Sequence, residues 1–102
     1  MRDLSREMMA MEGFYYVYIL KSLQDGKRYT GYTSDLPSRL EAHNSGKVYS
    51  TKNRRPLHLI YYEACLSRAD ALKREKYLKS HYGVMFLGNR LKSYFTGQDE
   101  KN

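Results

Sequence analysis

The sequence predicts an α+β fold: a three-stranded antiparallel sheet flanked by helices, in the order β-β-α-β-α-α. Two tyrosine-rich segments, YYVYIL and RYTGYT, flank an Asp25-Gly26 turn and read as a hairpin with a longer loop. Two later segments carry paired helix-start and helix-stop signals, and LHLIYYEA between them has the composition of a third strand. At 102 residues the chain accommodates one domain with a small core.

In the first strand Phe14, Tyr16, Tyr18 and Leu20 alternate with Tyr15, Val17 and Ile19. Both faces are largely apolar, so other elements are expected to cover the strand on both sides. Gly31 in the returning strand predicts a bulge or a close backbone approach. In SDLPSRLEAHNSG, Ser34 or Asp35 can cap a helix, Pro37 suits its first turn and Gly46 its stop. KVYSTKNRRP, residues 47–56, is polar and basic and reads as a loop. The third strand spans Leu57 to Ala64. Ser67 with Asp70 resembles a capping box that opens a helix from Arg68 to about Tyr82. Beyond Gly83, Val84, Leu87, Leu91 and Tyr94 recur at helical spacing and predict a last helix. The domain is thus expected over 14–95, with a flexible leader at 1–13, where Met9 and Met11 offer alternative starts, and a polar tail at 96–102.

The 18 Lys and Arg against 11 Asp and Glu give a net charge of +7. A polyanion, nucleic acid first, is the natural partner of such a domain, although basic character alone also occurs in proteins that bind no specific polyanion. Lys47, Lys52, Arg54 and Arg55 make the loop before the third strand a candidate for holding a phosphate backbone. No apolar run is long enough for a membrane span, and the first residues lack the continuous apolar segment of a secretory signal. The single cysteine, Cys65, excludes an internal disulfide framework and fits a reducing cytoplasm.

Several residues break the ordinary amphipathic pattern. On a helical projection Glu75 falls inside the apolar stripe of Ala71, Leu78 and Tyr82. A carboxylate there calls for a cation, a metal or a wet cleft; at the stripe edge it would instead reach solvent or pair with an arginine. Arg39 and His43 lie four residues apart on the side of Leu36 and Leu40, which points to a cleft or, more plainly, to a snorkelling arginine and a surface histidine. With Tyr18 and Tyr29 from the hairpin, these side chains supply a base, a cation and a carboxylate, the requirements of phosphodiester hydrolysis. Spacing alone leaves open whether they converge.

The same positions resemble the GIY-YIG nuclease superfamily, and in particular its small, stand-alone bacterial members. Tyr16-Val17-Tyr18 stands for the first signature, Tyr29-Thr30-Gly31 for the second, followed by the helix with Arg39 and His43-Asn44 and the segment ALKREKYLKSHYG with Glu75. The resemblance covers Phe14 to Phe95; Tyr16 replaces the signature glycine and Thr30 the isoleucine. It implies that Glu75 holds one Mg²⁺ or Mn²⁺ per site, largely through water, and that Arg39 binds the scissile phosphate. It also implies that a tyrosine oxygen, Tyr18 by preference, takes a proton from the attacking water, with Tyr29 orienting water or phosphate and His43 as alternative base or relay. Asn89 is the counterpart of a further family asparagine.

The expectation is therefore a metal-dependent DNA endonuclease, of a repair or structure-selective kind, because about 80 residues leave no separate base-reading domain. Two other readings are a nucleic-acid-binding module of the same fold with little activity alone, and a protein-interaction domain with a basic docking face. A protein partner or a homodimer would enlarge the surface available for recognition.

Overall fold

A computed structural model describes residues 13–98. The expected leader, apart from Gly13, and the last four residues of the tail lie outside that range. The strands are β1 (Tyr15–Ser22), β2 (Arg28–Thr33) and β3 (Leu57–Cys65), antiparallel in the order β2-β1-β3. The helices are α1 (Leu36–Asn44), α2 (Arg68–Lys79), α3 (His81–Arg90) and α4 (Lys92–Thr96), with one 3₁₀ turn at Lys52–Arg54. Among the described residues no helix is long and apolar enough to cross a membrane.

The doubly apolar strand is the central one, because only a central strand can be covered on both faces. Val17 and Ile19 pack with Ala71, Leu78 and Leu87 of α2 and α3. Tyr18 and Leu20 form the opposite cluster with Leu36 and Leu57, against which Leu40 and Tyr29 also pack. Each cluster removes apolar surface from water and so stabilises the fold.

Local chemistry sets the element boundaries. Asp35 is the cap of α1, its carboxylate accepting the Ser38 N–H, and Ser67 caps α2 by accepting from Asp70 N–H. The helix expected to run to Tyr82 ends at Lys79 instead. Ser80 has extended backbone, and its hydroxyl oxygen accepts the Gly83 N–H to start α3. Gly83 is therefore inside α3 rather than before it, at a point where a side chain would collide with the Tyr77 carbonyl and the Leu78 backbone. The expected last helix is divided at Leu91, and Thr96, expected in the tail, closes α4.

The long loop is tied down at three points. Asn44 bonds both backbone groups of Leu57, donating to its carbonyl at 3.0 Å and accepting its N–H at 2.8 Å. Arg54 donates to Asp25 at 2.9 Å and to the Lys27 carbonyl at 3.1 Å, linking the 3₁₀ turn to the hairpin turn. The buried Ser22 hydroxyl donates to the Arg54 carbonyl at 2.6 Å while accepting the Gln24 and Asp25 N–H groups. The loop is thereby held beside α1, which positions the side chains described next.

Candidate active site

Tyr18 lies in the middle of β1 with its ring directed to α1 and no exposed surface. Its register partner on β2 is Gly31, where a methyl group would overlap Cζ and the hydroxyl of Tyr18. Of the two expectations for Gly31 the structure selects the close approach. The register irregularity lies instead on β3, where Ile19 pairs with Tyr61 and Leu20 with Leu59, leaving Ile60 as the extra residue. The missing side chain at Gly31 makes the space that the phenol occupies.

Helix α1 brings Arg39 and His43 onto that phenol, since residues four apart share a helix face. The Tyr18 hydroxyl is 2.8 Å from His43 Nε2, and Arg39 Nε donates to the same oxygen at 3.3 Å. The other imidazole nitrogen, Nδ1, is 2.8 Å from Thr51 Oγ1. Tyr29, opposite Leu20 in the register, completes the group with its ring centroid 5.0 Å from His43 and 6.3 Å from Tyr18. The two tyrosines of the hairpin thus share one face of the sheet, as alternation of side chains along a strand requires.

Burial sets the protonation states. It depresses His43 to about 4, helped by the Arg39 charge, so the imidazole is neutral near pH 7. Burial also raises Tyr18 above the usual phenol value; the Arg39 hydrogen bond opposes this, and the Tyr29 and Glu75 charges add to it. Arg39 is raised chiefly by its hydrogen bond to Tyr18, and among the described residues no carboxylate pairs with it. A neutral imidazole, a neutral phenol and an uncompensated guanidinium therefore sit in one chain of hydrogen bonds.

Glu75 approaches from α2, the helix that crosses β1 and β2 on the other face. Its side chain is one-fifth exposed, 20%, and its carboxylate lies 3.1 Å from Lys79 Nζ. The stripe-edge alternative thus holds in altered form: the cation is a lysine one turn on, not an arginine. Tyr82, expected to extend the stripe, follows the break at Ser80 and is 72% exposed. Among the described residues no three His, Cys, Asp or Glu side chains gather into a ligand set. A lone carboxylate with solvent access nevertheless suits Mg²⁺, which keeps most of its waters.

The basic candidates have separate fates. Arg54 is committed to Asp25 and holds its carboxyl down at about 2. Lys52 covers the Tyr49 ring at 4.7 Å, Arg55 donates to the Lys52 carbonyl at 2.8 Å, and Lys47 is exposed. Asn89 is exposed near the end of α3, and among the described residues its side chain bonds none of the site residues. The residue that sequence reasoning missed is Thr51. It is fully buried and orients His43, yet it sits in a polar loop where nothing in the sequence sets it apart from Ser50.

Comparison with known proteins places the chain in a family. UPF0213 proteins of Staphylococcus aureus, those of strains Mu3 and MW2 among them, are 46% identical over 68 residues, covering 66% of this chain and 82% of theirs. A solution NMR structure of a UPF0213 protein from Bacillus halodurans is 38% identical, covers 72% of this chain and 81% of its own, and superposes with a TM-score of 0.46. The GIY-YIG catalytic domain profile matches residues 14–89, which include Tyr18, Tyr29, Arg39, His43 and Glu75. The chain belongs to the GIY-YIG nuclease family.

Proposed function

We propose that this protein is a metal-dependent endonuclease that hydrolyses phosphodiester bonds in DNA, selecting structure rather than sequence, in a cytoplasmic repair setting. The observation that supports it most is the hydrogen-bonded chain from Arg39 through the Tyr18 hydroxyl to His43 and Thr51.

In this reading Arg39 binds the scissile phosphate and stabilises the charge that grows on it, a role worth about 10²–10³ in rate for a well-placed donor. Tyr18 takes a proton from the attacking water while its own proton passes to Nε2 of His43. That direction requires His43 Nδ1–H to face Thr51 Oγ1, leaving Nε2 as the acceptor. An imidazole at about 4 is a weak base, but its depression comes partly from the Arg39 charge. A bound phosphate neutralises that charge, so substrate itself raises the basicity of the relay. Tyr29 lines the same space and orients water or phosphate. Glu75, turning from Lys79, would hold one Mg²⁺ or Mn²⁺ largely through water. When bound, such an ion supplies Lewis acidity and charge neutralisation at the phosphate. Lys47, Lys52 and Arg55 would follow the backbone beyond the site, with Arg54 and Asn89 contributing less. A second copy or a protein partner would widen this small surface.

Incubation with nicked, branched, single-stranded and duplex DNA in Mg²⁺ or Mn²⁺ tests the proposal. Cleavage that falls at least 100-fold in both Glu75→Ala and Arg39→Ala is expected. Wild-type rates in both variants would overturn the mechanism.

A further inference from the structure

The sheet face that carries Tyr18 also carries two tyrosines to which this mechanism gives no task. Tyr62 is the register partner of Tyr18 on β3, and Tyr16 lies two residues before Tyr18 on β1, so both side chains share its face. Directly opposed positions on neighbouring strands have Cβ atoms roughly 5 Å apart. Yet their environments diverge: Tyr18 is sealed under α1, whereas Tyr62 is 52% exposed. The Tyr16 and Tyr62 rings lie with centroids 6.0 Å apart and tilted 59°. At the bulge the outer edge of β3 opens a groove of about 310 Å³ lined by Leu59, Ile60, Tyr61 and Tyr62.

We propose that Tyr62, backed by Tyr16 and the β3 groove, is a stacking platform for an unpaired nucleobase next to the phosphate held at Arg39. Charge and shape together select that occupant. Tyr18, the strand neighbour of Tyr62, carries the Arg39 guanidinium on its hydroxyl at 3.3 Å, with no carboxylate partner among the described residues, in a chain of net charge +7. A ligand that satisfies both must carry an anion and a flat π-face in one small unit, which describes a nucleotide. An apolar peptide would leave the cation uncompensated, and a base inside a continuous duplex has its faces covered by its neighbours. The platform therefore favours single strands, flaps and frayed junctions over intact duplex. Every base has a π-face, so it adds affinity without reading sequence.

The inference rests on the nuclease reading, and metal-free binding separates the two. Fluorescence anisotropy is measured in EDTA with labelled oligothymidylate and with a labelled blunt DNA hairpin. Tyr62→Ala is expected to weaken oligothymidylate binding by roughly 5- to 150-fold, the range for loss of one base–aromatic stack. Tyr62→Phe retains it, Tyr16→Ala loses part of it, and hairpin binding stays constant. The dependence of affinity on salt is unchanged in Tyr62→Ala, because no phosphate contact is removed. Equal affinity of Tyr62→Ala and wild type for oligothymidylate, or equal losses on both probes, overturns the platform. If Glu75-dependent cleavage persists in that case, the nuclease reading stands without it. A wild type that binds neither probe overturns both.

Discussion

The two faces of the sheet each carry a buried cluster but are built for different ends. On the α2–α3 side Val17, Ile19, Ala71, Leu78 and Leu87 meet as an apolar cluster. Its charged neighbours stay at the rim, where Arg74 forms two hydrogen bonds with Glu63. On the α1 side lie all three buried polar residues among those described, Ser22, His43 and Thr51, each hydrogen-bonded. A buried hydrogen bond returns only about 0.5–1.5 kcal/mol net, against about 1.5–3 kcal/mol for a buried apolar side chain, so the α1 face adds less to stability per residue than the other. It gains instead a histidine depressed to about 4 beside a tyrosine raised above its usual value. Perturbed groups clustered next to an arginine are characteristic of catalytic sites.

One of the two largest expected effects tests this division from the apolar side. Leu78 is 1% exposed, and Leu78→Ala should lower unfolding free energy by about 3 kcal/mol in denaturant titration. Cleavage per folded molecule should not change. A variant that kept its stability but lost activity would show that the apolar face also governs the chemistry.

An effect of about the same size separates the faces by pH. Because His43 titrates near 4 in the native state and near 6.5 when free, the unfolded chain binds more protons between those values. Stability is therefore constant above about 6.5 and falls by up to about 3 kcal/mol as pH drops to about 4. His43→Asn should flatten that part of the profile, measured as denaturation midpoints across pH. A wild-type profile already flat from 7 to 4 would mean that the imidazole is not held neutral.

The smallest effect concerns the contact that orients the imidazole. Thr51→Val keeps the volume but leaves Nδ1 buried without a partner, at a cost of about 1–2 kcal/mol. Cleavage per folded molecule should fall, unlike in Leu78→Ala, since the tautomer is no longer fixed. Equal activity of Thr51→Val and wild type would reduce Thr51 to a packing residue.

Much of this was legible from local sequence. The antiparallel α+β order, the caps at Asp35 and Ser67 and the coverage of β1 on both faces follow from alternation, capping chemistry and helix periodicity. These depend on neighbours a few residues away. Ser80 was legible in principle, since its hydroxyl caps the next turn, but the apolar repeat through Tyr82 masked it.

The site was legible only in part. Residues that share one element, such as Arg39 with His43, are paired by helical geometry, a helical projection set Glu75 apart, and motif resemblance gave Tyr18 and Tyr29 their roles. That the Tyr18 hydroxyl lies between Arg39 and His43, that Gly31 makes room for it, and that Thr51 holds the far nitrogen are relations between β1, β2, α1 and the basic loop. Sequence by itself determined which elements form and which side chains share a face, because backbone geometry repeats every two or 3.6 residues. Tertiary packing alone decided which tyrosine is sealed against a histidine and which, one strand away, is left open to solvent. The polarity of a side chain does not say what will cover it.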